Sequence, residues 1–140
     1  RVMPWVSPHG ERDATGRFKD FPALGYRVET AVGTYLFPVD VRTYDPACLA
    51  GLAGEATVFA HVFLGRAQAL SDRPPLLEDF VAFYRACRPR SLILGHLYEL
   101  AREPEDCWRT PHVALVKRAF ERAGASFAVT APDWFEGQPL

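Results

Sequence analysis

Three short apolar runs, each ending near a single residue that can bind a metal ion, are the strongest constraint on the fold of this chain. Residues 35–39 lead directly into Asp40, residues 91–95 lead directly into His96, and an earlier run is followed by His9. A buried strand that stops in this way delivers the next side chain to the rim of a sheet. The pattern therefore predicts a sheet with two histidines and one aspartate at its rim.

Length and composition restrict the class of protein. A chain of 140 residues, of which 49% are hydrophobic, is expected to form one domain, residues 1–140, with a buried core. The net charge is −1 and the acids and bases are interspersed, so we expect no nucleic-acid partner. We also expect no membrane span and no signal peptide, because the chain has no matching apolar run. The three widely spaced cysteines match neither a zinc ribbon nor a disulfide framework, which favours the cytoplasm.

Hydrophobic periodicity predicts an α/β fold with a mixed sheet and flanking helices. The predicted strands are residues 2–7, 25–30, 34–39, 57–63, 91–95 and 126–130. The predicted helices are residues 76–87 and 111–123, and the predicted loops include residues 11–22 and 65–75. The second helix has Thr110 as its N-cap and Gly124 directly after its last residue.

His9, Asp40 and His96 carry the side chains that zinc, iron and manganese favour. A carboxylate can also bridge two cations about 3.5–4 Å apart. Each residue has a structural interpretation as well: His9 as an exposed loop residue, Asp40 as a turn-capping acid, and His96 as a hydrogen-bonded residue at a strand end. Because the three are far apart in the sequence, only the fold could bring them together.

Several passages resemble the metallo-β-lactamase-fold hydrolases. Residues 25–30 and 34–44 resemble the passage that carries the aspartate shared by both metals in that family, and Asp40 stands at its position. Residues 91–97 are similar to the family's late strand, which ends in its final metal-binding histidine. His9 lies where the family usually has a histidine on the first metal. The resemblance covers essentially the whole chain, as the C-terminal half of an αββα sandwich.

The resemblance implies a dinuclear centre of zinc, iron or manganese. In such a centre His9 would bind the first metal, Asp40 would bridge both as the catalytic carboxylate, and His96 would bind the second. Two features depart from the family. Its His-x-His-x-Asp-His motif does not occur in these residues, and Val39 stands where the family has a glycine.

The absent motif leads to an expectation about partners. The remaining metal ligands are expected from a missing N-terminal half or from a partner chain. The chain itself is then expected to be a fragment or a processed chain, and to be unstable or to form a homo-oligomer when alone.

Five further residues near these ligands are candidates for contacting substrate or for holding a metal ligand in place: His61, Arg42, Tyr44, Tyr98 and Glu99. Three of them also have a structural interpretation. His61 can be a hydrogen-bonded residue of an apolar strand, and Arg42 and Tyr44 can cap the turn after Asp40.

The function predicted from these observations is that of a metal-dependent hydrolase of the metallo-β-lactamase superfamily. A metal-bound hydroxide would attack a small-molecule ester, lactone, amide or phosphoester. One alternative is a non-catalytic interaction module, or a metal-poor remnant, on the same fold. Another is an iron protein that handles electrons or oxygen. The missing motif, if found in a preceding segment or a partner chain, would favour the enzyme.

Overall fold

A computed structural model of the chain describes residues 1–7, 10–12, 15, 18–20, 23–39, 41, 44–45, 54, 56–62, 65–70, 76–98 and 102–132. The strands are β1 Val2–Ser7, β2 Gly10–Arg12, β3 Phe18–Asp20, β4 Ala23–Glu29, β5 Thr34–Val39, β6 Thr57–His61, β7 Ser91–Gly95 and β8 Ala128–Thr130. The helices are α1 Arg66–Ala69, α2 Leu76–Ala86 and α3 Val113–Arg122, and a 3₁₀ turn at Thr110–His112 directly precedes α3.

Six of these strands form one mixed sheet in the order β1-β4-β5-β6-β7-β8. Strand β4 is antiparallel to both of its neighbours, whereas β5, β6, β7 and β8 are parallel to one another. The predicted α/β class is therefore confirmed. Because β5, β6 and β7 are adjacent and parallel, their carboxyl ends lie at one edge of the sheet.

The core lies between one face of this sheet and the helices. The connections from β6 to β7 and from β7 to β8 run in the same direction across the sheet, so right-handed crossovers place α2 and α3 on the same face. The sheet residues that are at most 1% exposed on this side are Leu36, Val58, Ala60, Leu92 and Leu94. Those that α2 and α3 contribute are Phe80, Phe83, Tyr84, Val116 and Phe120, also at most 1% exposed.

The opposite face of the sheet is apolar and has no helix on it among the described residues. We call it the open face, and strand register assigns it the following residues: Val2, Pro4, Val6, Leu24, Tyr26, Val28, Tyr35, Phe37, Thr57, Phe59, His61, Ser91, Ile93, Gly95, Ala128 and Thr130. At its centre the rings of Phe37 and Phe59 stack with centroids 4.6 Å apart. Toward β1 it is exposed: the exposed fraction is 69% for Val6 and 50% for Leu24.

Both long helices end as their sequences predict. The chain leaves α2 through Arg88, which has a φ of +49°, and Pro89 then prevents the helix from continuing. Helix α3 ends at Gly124, where φ is +74°. There the amides of Gly124 and Ala125 donate to the carbonyls of Glu121 and Phe120, the pattern of a Schellman motif.

Three predictions about local structure were wrong. The predicted loop at residues 11–22 contains β2 and β3, which pair with each other as a small antiparallel hairpin. The predicted loop at residues 65–75 contains the single turn of α1. Thr110 is not the N-cap of a long helix but the first residue of the 3₁₀ turn. These four elements, β2, β3, α1 and the 3₁₀ turn, are each only three or four residues long, too short for a hydrophobic period to show.

Within the described residues, we find no helix that has both the length and the apolar character needed to cross a bilayer.

Candidate functional site

The carboxyl edge of β5, β6 and β7 is where two of the predicted site residues meet. Strand β6 ends at His61, and β7 ends at Gly95, one residue before His96. Strand β5 ends at Val39, one residue before Asp40. Asp40 itself lies outside the described residues, as do His9, Arg42 and Glu99. Their roles stay predictions.

The register of β6 against β7 brings His61 and His96 together. His61 lies opposite Gly95, and the amide of Val62 donates to the carbonyl of Gly95 at 3.0 Å. The two imidazole rings are then stacked, with centroids 5.4 Å apart and ring planes 16° from parallel. Both side chains are half-buried, and the Nδ1 atom of His96 is shielded from solvent. Since His61 belongs to the open face, the pair lies where that face meets the carboxyl edge.

The backbone that follows β7 has an unusual conformation. φ is +61° at His96 and +59° at Tyr98. This left-handed region costs a residue other than glycine roughly 1–3 kcal/mol, and it tends to persist at functional sites where the surroundings enforce it. The sequence alone gave no sign of this feature.

Contacts with the residues before α3 hold this segment. The amide of Tyr98 donates to the carbonyl of Trp108 at 2.8 Å, and Trp108 is 2% exposed. The hydroxyls of Tyr98 and Thr110 form a hydrogen bond of 3.0 Å. Tyr98 therefore fixes the course of the chain just after His96, which is a structural role; contact with a substrate stays a prediction.

The loop that follows β6 is held by the same stretch of chain. The amide of Arg66 donates to the carbonyl of Asp106 at 2.7 Å, and its guanidinium donates to the carbonyl of Glu105. Asp106 in turn forms an ion pair of 3.0 Å with Arg102. We call residues 102–110 the anchor segment, because they contact both loops that follow the histidine-bearing strands. The sequence has no pattern that predicts these contacts, because they are hydrogen bonds to backbone carbonyls.

His112 is the remaining histidine of the described part of the chain. Its Nδ1 atom accepts a hydrogen bond from the amide of Arg109 at 3.1 Å, and its ring lies edge-on to Trp108, with centroids 6.2 Å apart. Burial first, and then the positive charges of Arg66 and Arg109, lower its pKa below the ordinary value of 6.5. Neutral His112 accepts at Nδ1, so its proton is on Nε2.

Tyr44 lies in the core. Its ring is half-buried and packs edge-on against Phe80 and Phe83, with centroids 5.7 Å away in each case. Both of these rings belong to α2, which lies on the helix-covered side of the sheet. The Tyr44 ring therefore contributes to packing on that side.

The described residues do not form a metal site by themselves. Within them, no group of three or more histidine, cysteine, aspartate or glutamate side chains is placed to hold a metal ion. A catalytic zinc site normally has three protein ligands and one open position. His96 is the one predicted metal ligand among the described residues, so such a site would need at least one more. Cys87 does not supply it, because it lies between α2 and the start of β7, at the amino end of that strand. Burial raises the pKa of its thiol to about 12.

The fold and the site define an α/β protein with a two-histidine cluster at the carboxyl edge of its parallel strands. Comparison with protein-family models and with curated proteins gives no match for this chain.

Proposed function

We propose that this protein is a metal-dependent hydrolase whose centre lies at the carboxyl edge of β5, β6 and β7. The observation that carries the proposal is the stacked pair of His61 and His96, 5.4 Å apart at that edge. The edge also receives the end of β5, one residue before Asp40. Ligands and catalytic groups in α/β sheets commonly lie beyond the carboxyl ends of the strands.

The proposed roles follow from the side chains. His96 and His9 donate imidazole nitrogens to the metal, and Asp40 supplies a carboxylate that can bridge two ions. A zinc, iron or manganese ion at such a site supplies a Lewis acid that activates water and stabilises negative charge on a substrate oxygen. His61 lies against His96, and in this proposal it orients that ring or contacts the substrate. The substrate class is a small ester, lactone, amide or phosphoester.

The left-handed backbone at His96 supports a functional role for this residue. His96 has a φ of +61°, a conformation in which glycine or asparagine would be less strained. The hydrogen bonds from Tyr98 to the anchor segment keep the chain in this conformation. In a pre-organised site, the surrounding structure holds a ligand in place even when its backbone conformation is strained. The strained backbone at His96 fits this description.

We also propose that the chain is the C-terminal half of an αββα sandwich and that the remaining ligands come from an N-terminal half or a partner chain. Two features favour a second sheet layer: among the described residues the two long helices lie on one face, and the open face is mostly apolar. The same open face favours the second candidate function, a non-catalytic interaction module. A measurement of metal binding distinguishes the hydrolase from the interaction module, because only the hydrolase needs a metal.

Metal binding by the chain tests the hydrolase proposal. The chain is dialysed against zinc, manganese or ferrous iron, and bound metal is measured by elemental analysis and by calorimetry. We expect about one metal per chain or more, lost in His96→Asn and retained in His112→Asn. Asparagine tolerates the left-handed backbone at His96, so the fold is preserved.

His112→Asn is the matched control, because it removes another half-buried histidine, one that belongs to the 3₁₀ turn before α3 and not to β6 or β7. Equal metal content in both variants, or no metal in the wild-type chain, would contradict the proposed centre. Where metal is bound, hydrolysis of nitrophenyl esters, lactones and phosphodiesters by the chain together with its partner segment would identify the substrate class.

A further inference from the structure

We propose that Thr110 is a positioning residue for His96 and acts through Tyr98. Thr110 is the first residue of the 3₁₀ turn that precedes α3, and Tyr98 comes two residues after His96. Two hydrogen bonds join Thr110 to Tyr98. Their hydroxyls lie 3.0 Å apart, and the amide of Thr110 donates to the Tyr98 hydroxyl at 3.4 Å. This contact gives a residue outside the candidate metal centre a direct hold on the chain that follows His96.

The Tyr98 hydroxyl also serves the start of the helical segment. The first amides of a helix have no acceptor within the helix, and a side chain next to it in the sequence commonly supplies one. The amide of Thr110 instead has its acceptor twelve residues back along the chain, at Tyr98. The position of Tyr98 is therefore tied to the start of the 3₁₀ turn and of α3.

The backbone of Tyr98 is held by the same stretch of chain. Its amide donates to the carbonyl of Trp108 at 2.8 Å, and Trp108 is 2% exposed. The values of φ are +61° at His96 and +59° at Tyr98. In residues other than glycine this conformation persists only where the surroundings enforce it. The contacts of Tyr98 with Trp108 and Thr110 provide that enforcement.

Hydrogen bonding, more than burial, accounts for the hold on Tyr98. Its side chain is 40% exposed, so the hydroxyl makes the specific contact. Upstream of His96, the pairing of β6 with β7 fixes the chain as far as Gly95. His96 is thus held by strand register on one side and by the Tyr98–Thr110 pair on the other. Loss of the pair should free the second side and shift the His96 ring from its stack on His61.

The positioning role needs no metal, because it concerns where the His96 ring lies. Its consequence for catalysis rests on the proposed hydrolase function, in which the His96 ring binds the metal. Residues that orient a metal ligand typically contribute about 10–100-fold to metal affinity. Ring position and metal affinity are measured separately, so the positioning role and the hydrolase function can fail independently.

Nuclear magnetic resonance of the histidine rings tests the inference. The chain has four histidines, and His96→Asn and His61→Asn assign the signals of the stacked pair. We expect the His96 ring resonances to move toward those of a free histidine in Tyr98→Phe and in Thr110→Val, because each variant removes one hydroxyl of the pair. Thr110→Ser keeps the hydroxyl and should retain the wild-type resonances. Because the two residues act as a pair, the double variant should move the resonances little further than either single variant.

Thr57→Val is the matched control. Thr57 and Ser91 form a hydroxyl pair of 3.1 Å between β6 and β7, the two strands that lead to the histidines, but at their amino ends. This variant should leave the His96 resonances unchanged, so a general effect on stability and a loss of positioning give different results. With zinc, the Kd measured by calorimetry should rise about tenfold in Tyr98→Phe and Thr110→Val and stay at the wild-type value in Thr57→Val.

Two outcomes would overturn the inference. These are His96 resonances that stay in place in Tyr98→Phe and Thr110→Val, or resonances that move equally in Thr57→Val. A wild-type chain that binds no zinc, while the resonances move as expected, would support the positioning role and contradict the hydrolase function. Circular dichroism checks folding, and if Thr110→Val does not fold, Tyr98→Phe decides.

Discussion

His96 and Arg88 share a left-handed backbone for different reasons. At Arg88, φ is +49° and the conformation ends α2 ahead of Pro89, while the side chain is exposed. At His96, φ is +61° and the side chain stacks on His61 at the carboxyl edge. At Arg88 the backbone conformation alone matters, because it ends the helix. At His96 the side chain matters as well, because it stacks on His61.

Glycine substitution at these two positions separates stability from function. Arg88→Gly and His96→Gly should each remove a backbone cost of roughly 1–2 kcal/mol, partly offset by the greater entropy of glycine in the unfolded chain. We expect Arg88→Gly to raise the free energy of unfolding by up to about 1 kcal/mol and to leave metal binding unchanged. His96→Gly should abolish metal binding without a comparable loss of stability. Urea unfolding and metal analysis check both variants, and a His96→Gly chain that binds metal normally would contradict the proposed role.

The environment of His112 predicts a dependence of stability on pH. The pKa of His112 is lowered in the folded chain, so between that pKa and 6.5 the unfolded chain binds a proton that the folded chain does not. Stability from this residue is therefore full above pH 6.5 and falls as the pH falls toward the folded pKa. In urea unfolding at a series of pH values, His112→Asn should show a smaller loss of stability over this window than the wild-type chain. Parallel curves would contradict the prediction.

The loops that carry the site owe their positions to an element without regular structure. The anchor segment, residues 102–110, binds the loop after β6 through Arg66 and the loop after β7 through Tyr98. Gly65 allows the first of these contacts, because a Cβ atom there would overlap the carboxylate of Asp106 and crowd the guanidinium of Arg102. These two side chains form the ion pair of the segment.

Gly65→Ala should therefore loosen the anchor segment. Asp106 and Arg102 would have to move apart or shift together, and because both are side chains that can shift, we expect a loss of about 1 kcal/mol in the free energy of unfolding, the value of their partly exposed ion pair. Gly33→Ala is the control, because a Cβ atom there meets its nearest neighbour, an Arg90 nitrogen, at an ordinary 3.6 Å. Its effect should stay within about 0.5 kcal/mol. Equal effects of the two substitutions in urea unfolding would show that the contact at Gly65 does not matter.

The sequence predicted those elements whose period is long enough to read. Strands β4, β5 and β7 and helix α2 lie within a residue or two of their predicted bounds. The hairpin of β2 and β3 was missed because backbone pairing, not side-chain pattern, defines it. His61 and His96 could be nominated singly, but their contact depends on the register of β6 against β7. The anchor segment could not be predicted, since its contacts are tertiary hydrogen bonds to backbone carbonyls.

At the scale of the whole molecule, one sheet face is well packed and the other is not. The core beneath α2 and α3 contains aromatic residues such as Phe83, which is 0% exposed, whereas the open face leaves Tyr26 at 40%. Each large apolar side chain left in water forgoes up to about 1.5–3 kcal/mol of burial. A total stability of only about 5–15 kcal/mol makes such losses important. The stability of this chain should therefore depend on whatever covers the open face.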